Sequence, residues 1–164
     1  MSLTASRRLL REYRAAAAGA SSSGTAEEDL ISIAPTSESD LFHWTGVIRG
    51  IAGTPYEGGR WKIDITVPAT YPLHPPEIKF RMRICHPNIS FSTGEVCLDI
   101  LNNHWSPSWT LESACRAVVA LLDAPEPDSP LNVDAANVLR AGDVEGYASL
   151  VRYYTCKYAM GDVD

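Results

Sequence analysis

A chain of 164 residues with 45% hydrophobic content can bury one proper core, so residues 1–164 read as a single domain. The formal charge of −6 excludes a general binder of the phosphate backbone, which needs a basic face, and points to proteins rather than nucleic acid as partners. No stretch approaches the roughly 18 apolar residues of a membrane span, and the start lacks the apolar segment of a secretion signal, so a cytoplasmic chain without direct membrane insertion is expected.

Met1 to Ala18 predicts an amphipathic helix, with Leu9, Leu10 and Tyr13 on one side and Arg7, Arg8, Arg11 and Arg14 elsewhere. The serine-rich run Gly19 to Gly24 breaks it into a flexible loop. Four strand-like segments follow. Arg60 to Val67 is the clearest, because Trp61, Ile63, Ile65 and Val67 alternate with Arg60, Lys62, Asp64 and Thr66. Phe42, Trp44 and Ile48 share one face of the strand before it, across a turn at Thr54 to Gly59, and Leu30 to Ile33 and Glu77 to Phe80 complete the set. Short connections favour an antiparallel meander. Pro72, Pro75 and Pro76 make residues 71–76 a stiff extended loop, expected at the surface.

Further on the period becomes helical. Thr110 is a candidate N-cap for a helix carrying Leu111, Ala114, Val118, Leu121 and Leu122, stopped by Pro125. A short helix spans Val133 to Arg140, and a last one follows Asp143, repeating Val144, Tyr147, Val151, Tyr154 and Tyr158 at three- and four-residue steps. Strands first and helices afterwards indicate an α+β fold in which helices flank the sheet. No internal repeat is present.

The four cysteines Cys85, Cys97, Cys115 and Cys156 are irregularly spaced in a signal-free chain, which favours reduced thiols. Cys115 lies on the apolar side of a helix and reads as a buried hydrophobe. Cys97 differs: it follows a Ser-Thr-Gly turn and precedes Leu98-Asp99-Ile100-Leu101, an irregular and partly accessible setting. A zinc site from Cys85, His86, Cys97 and His104 would lack the paired spacing of structural zinc, so no metal is expected. A thiol hydrolase would need His86 or His104 within reach of the sulfur as base. A thiol that carries an acyl group between proteins needs a nucleophilic sulfur, an oxyanion donor such as Asn88 and a carboxylate such as Asp99.

His86-Pro87-Asn88, then Cys97 to Leu101, then Trp105-Ser106-Pro107-Ser108-Trp109-Thr110-Leu111 closely resembles the ubiquitin-conjugating enzyme family. The likeness runs from the first helix through Phe42-His43-Trp44, Tyr56 to Gly59 and Tyr71 to Pro76 as far as Pro125 to Asn132, nearly the whole chain. Within the family, the run Asp128 to Asp134 and the segment Gly142 to Tyr154 look most like the peroxisomal branch. The fold implied is the helix, four-stranded antiparallel meander and C-terminal helices already read from the periodicity.

The resemblance implies that Cys97 receives ubiquitin as a thioester from an activating enzyme and yields it to a substrate amine or thiol with a RING-type ligase. No cofactor is implied; ATP is used by the activating enzyme. Asn88 would donate to the oxyanion or brace the loop beside the cysteine, Asp99 would orient the attacking lysine, and His86 and Pro87 would be structural neighbours. Ser129 departs from a common family pattern, an acidic gate residue, leaving Asp128 as a substitute; Cys85 departs from the aromatic residue many relatives carry before His-Pro-Asn. Partner binding would fall to Arg7, Arg8 and Arg11, to Leu73, and to Pro107 and Ser108. The chain ends Gly161-Asp162-Val163-Asp164 rather than in a peroxisomal import signal. The branch therefore implies work on the cytosolic face of that membrane, with a membrane-anchored tether protein docking on the last helix at Tyr147 and Tyr154. The competing class is a binding module that presents ubiquitin without catalysis, which would be expected to lack the cysteine.

Overall fold

The computed structural model describes residues 3–19 and 30–161. Most of the serine-rich loop expected after the first helix lies outside the described residues. Helix α1 (Leu3–Gly19) buries Ala5 and Leu9 completely. Leu10, expected on the same side, is 38% exposed. A helix turns about 100° per residue, so the neighbour of a buried leucine faces away from the core.

Strands β1 (Ile31–Ser37), β2 (Asp40–Arg49), β3 (Arg60–Thr66) and β4 (Glu77–Phe80) form one sheet in the order β1-β2-β3-β4, antiparallel throughout. The first strand extends beyond the expected Ile33 because Pro35, which cannot donate to a ladder, sits at a register shift on an edge strand. The period-two alternation of β3 sets the register of the inner face. Trp44 lies opposite Ile65 and Ile65 opposite Ile78; Ile63 lies opposite Phe80, and Ile48 opposite Trp61. All of these are buried, each removing enough apolar surface to stabilise the fold by about 1.5–3 kcal/mol.

Helices α2 (Leu98–His104), α3 (Leu111–Asp123), α4 (Val133–Arg140) and α5 (Val144–Ala159) follow. Three begin at capping side chains: Thr110, the cap expected from the sequence, accepts from Ser113 N–H, Asn132 from Ala135 N–H, and Asp143 from Gly146 N–H. On α3, Leu111, Ala114, Cys115, Val118, Leu121 and Leu122 are buried, as the periodicity requires. On α5 the buried set is Tyr147, Val151, Thr155 and Ala159; Val144 is 64% exposed and Tyr154 only half-buried. The four thiols are free, with only Cys156 exposed.

Residues 71–76 are not the surface loop expected. Tyr71, Pro75 and Pro76 are buried, the Tyr71–Pro72 peptide is cis, and only Leu73 and His74 project, Leu73 at 70% exposure. Trp105 Nε1 donates to the Pro72 carbonyl at 2.8 Å, and the Tyr71 and Trp105 rings pack 5.8 Å apart, so this loop is anchored from beneath.

Candidate active site

The segment from Asn88 to Cys97 is a small hairpin. Ile89 bridges Val96, Ser90 N–H donates to the Glu95 carbonyl at 2.9 Å, and Cys97 N–H donates to the Asn88 carbonyl at 2.9 Å. The nine-residue step from Asn88 to Cys97 is therefore the length of a hairpin that sets the two opposite each other. Gly94 makes the turn with φ +77, and a Cβ there would lie 1.9 Å from the Phe80 carbonyl oxygen, so only glycine fits without displacing β4. Two bonds fasten the hairpin to β4 backbone: Phe80 N–H to the Gly94 carbonyl and Val96 N–H to the Ile78 carbonyl.

Each residue of His86-Pro87-Asn88 holds a different part of the chain. His86 is fully buried, with Nε2 2.8 Å from the Leu121 carbonyl and Nδ1 accepting from Asn88 N–H at 3.0 Å. That pattern fixes the neutral tautomer with its proton on Nε2, and burial pulls the pKa down to about 4. The Pro87 carbonyl accepts from both Leu131 and Asn132 N–H groups at 2.8 and 2.9 Å. Asn88 is buried, and its side chain is fully engaged by the loop before α4. Nδ2 donates to the carbonyls of Glu126 (2.7 Å) and Ser129 (3.0 Å), while Oδ1 accepts from Glu126 N–H (2.8 Å). Of the two roles open to Asn88, this geometry is the loop brace.

Cys97 sits at the N-cap position of α2 and is 7% exposed, against the expectation of an irregular and partly open segment. Leu98 to Leu101 are helical because Ile100 and Leu101 bury one side of a short helix. Its other side faces out, carrying Leu98 at 46% exposure and an exposed Asp99 in the first turn. Ser129 is exposed and the Asp128 carboxylate is almost wholly in solvent, 3.8 Å from Arg140. Among the described residues no hydrogen bond reaches the Cys97 sulfur. Both nitrogens of His86 are occupied elsewhere and His104 Nε2 lies 3.5 Å from Glu126, and among the described residues neither histidine makes the bond to the Cys97 sulfur that a hydrolase base needs. Among the described residues no three His, Cys, Asp or Glu side chains gather as metal ligands.

The expected partner-binding residues divide. Arg7, Arg11, Leu73, Pro107 and Ser108 are exposed. Arg8 is not a free arginine: its side chain is 15% exposed and is spent on Glu12 and on the carbonyls of Pro107, Ser108 and Trp109. Tyr147 is 7% exposed, its hydroxyl 3.0 Å from that of Tyr56, which donates to the Cys85 carbonyl at 2.7 Å. It is a core residue whose phenol burial raises to about 12. Tyr154 is half-buried against Phe91, Tyr153 and Tyr158, and Tyr153, 57% exposed, is the most open of the group. Glu12 and Glu126 were not singled out by the sequence; a capping or i,i+4 reading of Arg8 with Glu12 was the available signal.

The family described as ubiquitin-conjugating enzyme matches residues 8–155. "Protein PEROXIN-4" of Arabidopsis thaliana is 54% identical over 123 residues, 75% of this chain and 78% of that one. "Ubiquitin-conjugating enzyme E2 16" of Schizosaccharomyces pombe is 49% identical over 158 residues, 96% and 95% of the two chains. Among solved structures, the H. polymorpha ubiquitin-conjugating enzyme Pex4p, crystallised in complex with the soluble domain of Pex22p, superposes with a TM-score of 0.86 at 41% identity, covering 96% of this chain and 99% of that one. With the hairpin that sets Cys97 opposite Asn88, these likenesses establish that the chain belongs to the ubiquitin-conjugating enzyme family, in its peroxisomal branch.

Proposed function

We propose that Cys97 takes ubiquitin from an activating enzyme as a thioester and passes it to a substrate amine or thiol with a RING-type ligase, in the ubiquitination of a peroxisomal import receptor. In the first step the Cys97 thiolate attacks the activating enzyme's thioester carbonyl; a sulfur–carbon bond forms to Cys97 and the activating enzyme's thiolate leaves. In the second an acceptor amine or thiol attacks the same carbonyl; a nitrogen–carbon or sulfur–carbon bond to the acceptor forms, the acceptor's proton passes to solvent, and the bond to Cys97 breaks with release of its thiolate. Thioester exchange is close to balanced, so the protein needs an attackable sulfur rather than a strong base. It needs no cofactor, since the activating enzyme consumes the ATP.

The observation that carries this reading is the opposition of Cys97 and Asn88 in a hairpin pinned to β4, with exposed Asp99 in the first turn of the helix that Cys97 begins and exposed Ser129 bonded through its carbonyl to Asn88. Incubation with activating enzyme, ATP and ubiquitin tests it: an adduct lost on adding reductant is expected, and its absence would overturn the proposal.

The chain works on the cytosolic face of the peroxisomal membrane, held by a membrane-anchored tether. Two findings support this. Its relative Pex4p was crystallised with the soluble domain of Pex22p, and among the described residues no helix is long and apolar enough to cross a membrane.

A further inference from the structure

We infer that Glu12, acting through Arg8, is a positioning residue that locks α1 and two distant loops into one docking face for the activating enzyme. The inference rests on the thioester reading above. The Glu12 side chain is 9% exposed. Its Oε1 accepts from Arg8 Nε and from the Tyr71 hydroxyl, both at 2.7 Å, and its Oε2 accepts from Leu111 N–H at 2.9 Å. Arg8 extends the network: Nη1 donates to the Pro107 carbonyl at 3.1 Å, and Nη2 to those of Ser108 and Trp109 at 3.4 and 2.6 Å. Burial, then the bond to Glu12, raises the pKa of the Tyr71 phenol, so it stays a donor.

One carboxylate thus gathers three segments far apart in sequence: α1, the Tyr71 loop and the start of α3. Exposed residues on or next to those segments include Arg7 and Arg11, Leu73, and Pro107 and Ser108. Without the Glu12–Arg8 pair each would still be present, but the hydrogen bonds by which the two side chains join α1 to the Tyr71 loop and to residues 107–111 would be lost. A largely buried ion pair of this kind contributes little net stability and is better suited to fixing geometry.

The test measures thioester loading by the activating enzyme at varied concentration of the full chain. Glu12→Gln is expected to raise the half-saturating concentration about tenfold with the maximal rate within about twofold, the pattern of lost binding without lost chemistry. Discharge of the preloaded thioester onto free lysine should stay within about twofold as well, a readout that general loosening of the fold would move. Arg8→Ala and the double variant Arg8→Ala with Glu12→Gln should resemble Glu12→Gln, because the two residues act as one unit. If Glu12→Gln does not fold, Tyr71→Phe removes a single hydroxyl and is expected to give about a two- to threefold rise. Unchanged half-saturation in these variants, or lysine discharge falling in parallel with loading, would overturn the inference. A wild-type chain that never loads would instead overturn the thioester reading.

Discussion

The side-chain amide of Asn88 grips Glu126 on both backbone faces, accepting its N–H at 2.8 Å and donating to its carbonyl at 2.7 Å. With the second donation to Ser129, every hydrogen-bonding direction the amide needs is filled by the loop between α3 and α4. Asn88→Ala therefore leaves three backbone groups without partners. We expect a loss of about 1–3 kcal/mol in unfolding free energy, together with slower discharge of the thioester. Denaturant unfolding alongside single-turnover discharge checks this. A discharge defect of about 10²-fold or more with unchanged stability would instead identify Asn88 as an oxyanion donor.

Cys97→Ser is expected to form a ubiquitin oxyester that survives reductant, and Cys97→Ala no adduct at all. Neither Cys85 nor Cys115 is expected to substitute, since burial raises their thiols to about 11 and about 12. Adduct formation by Cys97→Ala would move the site to exposed Cys156.

Much of this architecture was legible because it is local. The alternation of β3, the Thr110 cap and the bounds Val133 to Arg140 of α4 follow from a few consecutive residues. The short helix after Cys97 was not, since seven residues with only Ile100 and Leu101 buried barely complete two turns of a period. Tyr147 was read as interface because a tyrosine stripe looks the same whether its hydroxyl meets solvent or, as here, a buried partner 91 residues away. Arg8 reads as a partner-binding arginine and Glu12 carries no signal of its own, because the groups that enclose them come from loops some 60 and 100 residues further on. The step from Asn88 to Cys97 was visible as a motif, but its meaning as a hairpin length required the pairing of Ile89 with Val96.

The gate is a second point of chemistry. Ser129 is exposed and its backbone carbonyl is held by Asn88, so a side chain placed there has a fixed root and a free end. Ser129→Asp is expected to raise discharge onto free lysine by about threefold or more, through attraction of the ammonium, short of the roughly 10²-fold that a full general base supplies. Asp99→Asn should slow the same reaction, most at lower pH. Single-turnover discharge of purified thioester across pH measures both. Rates that match wild type in either variant would remove that residue from the handling of the amine.

His86 makes stability depend on pH. Its folded pKa of about 4 lies below the ordinary 6.5, so between those values the unfolded chain binds the proton and the folded chain does not. The contribution of the neutral imidazole is complete above pH 6.5 and is lost as pH falls towards 4. By pH 5 the loss amounts to about 2 kcal/mol, at about 1.4 kcal/mol for each unit of separation. His86→Gln should be less stable than wild type at pH 7.5, and the gap should narrow by about that amount at pH 5. Chemical denaturation at the two pH values measures it; a constant gap would mean the imidazole is not held neutral.

The tethering proposal is tested on the outer side of α5. With Tyr147 committed to the core, the surface left for a tether consists of Tyr153, Tyr154 and Tyr158 with their cations. Lys157 Nζ lies 5.6 Å from the Tyr153 ring and 5.3 Å from that of Tyr158, and Arg83 sits 5.3 Å from Phe91 and 5.6 Å from Tyr158. Rigid aromatic rings braced by cations offer contact area at low entropic cost, the composition of binding hot spots. Tyr153→Ala is therefore expected to move a tagged chain from the peroxisomal membrane fraction to the cytosol while thioester loading stays at the wild-type level. Tyr147→Phe should lower unfolding stability by about 1 kcal/mol, through the lost bond to Tyr56, and leave fractionation unchanged. Wild-type protein that is wholly cytosolic, or membrane association that survives loss of peroxisomal membrane proteins, would end the tethering proposal without touching the conjugating activity.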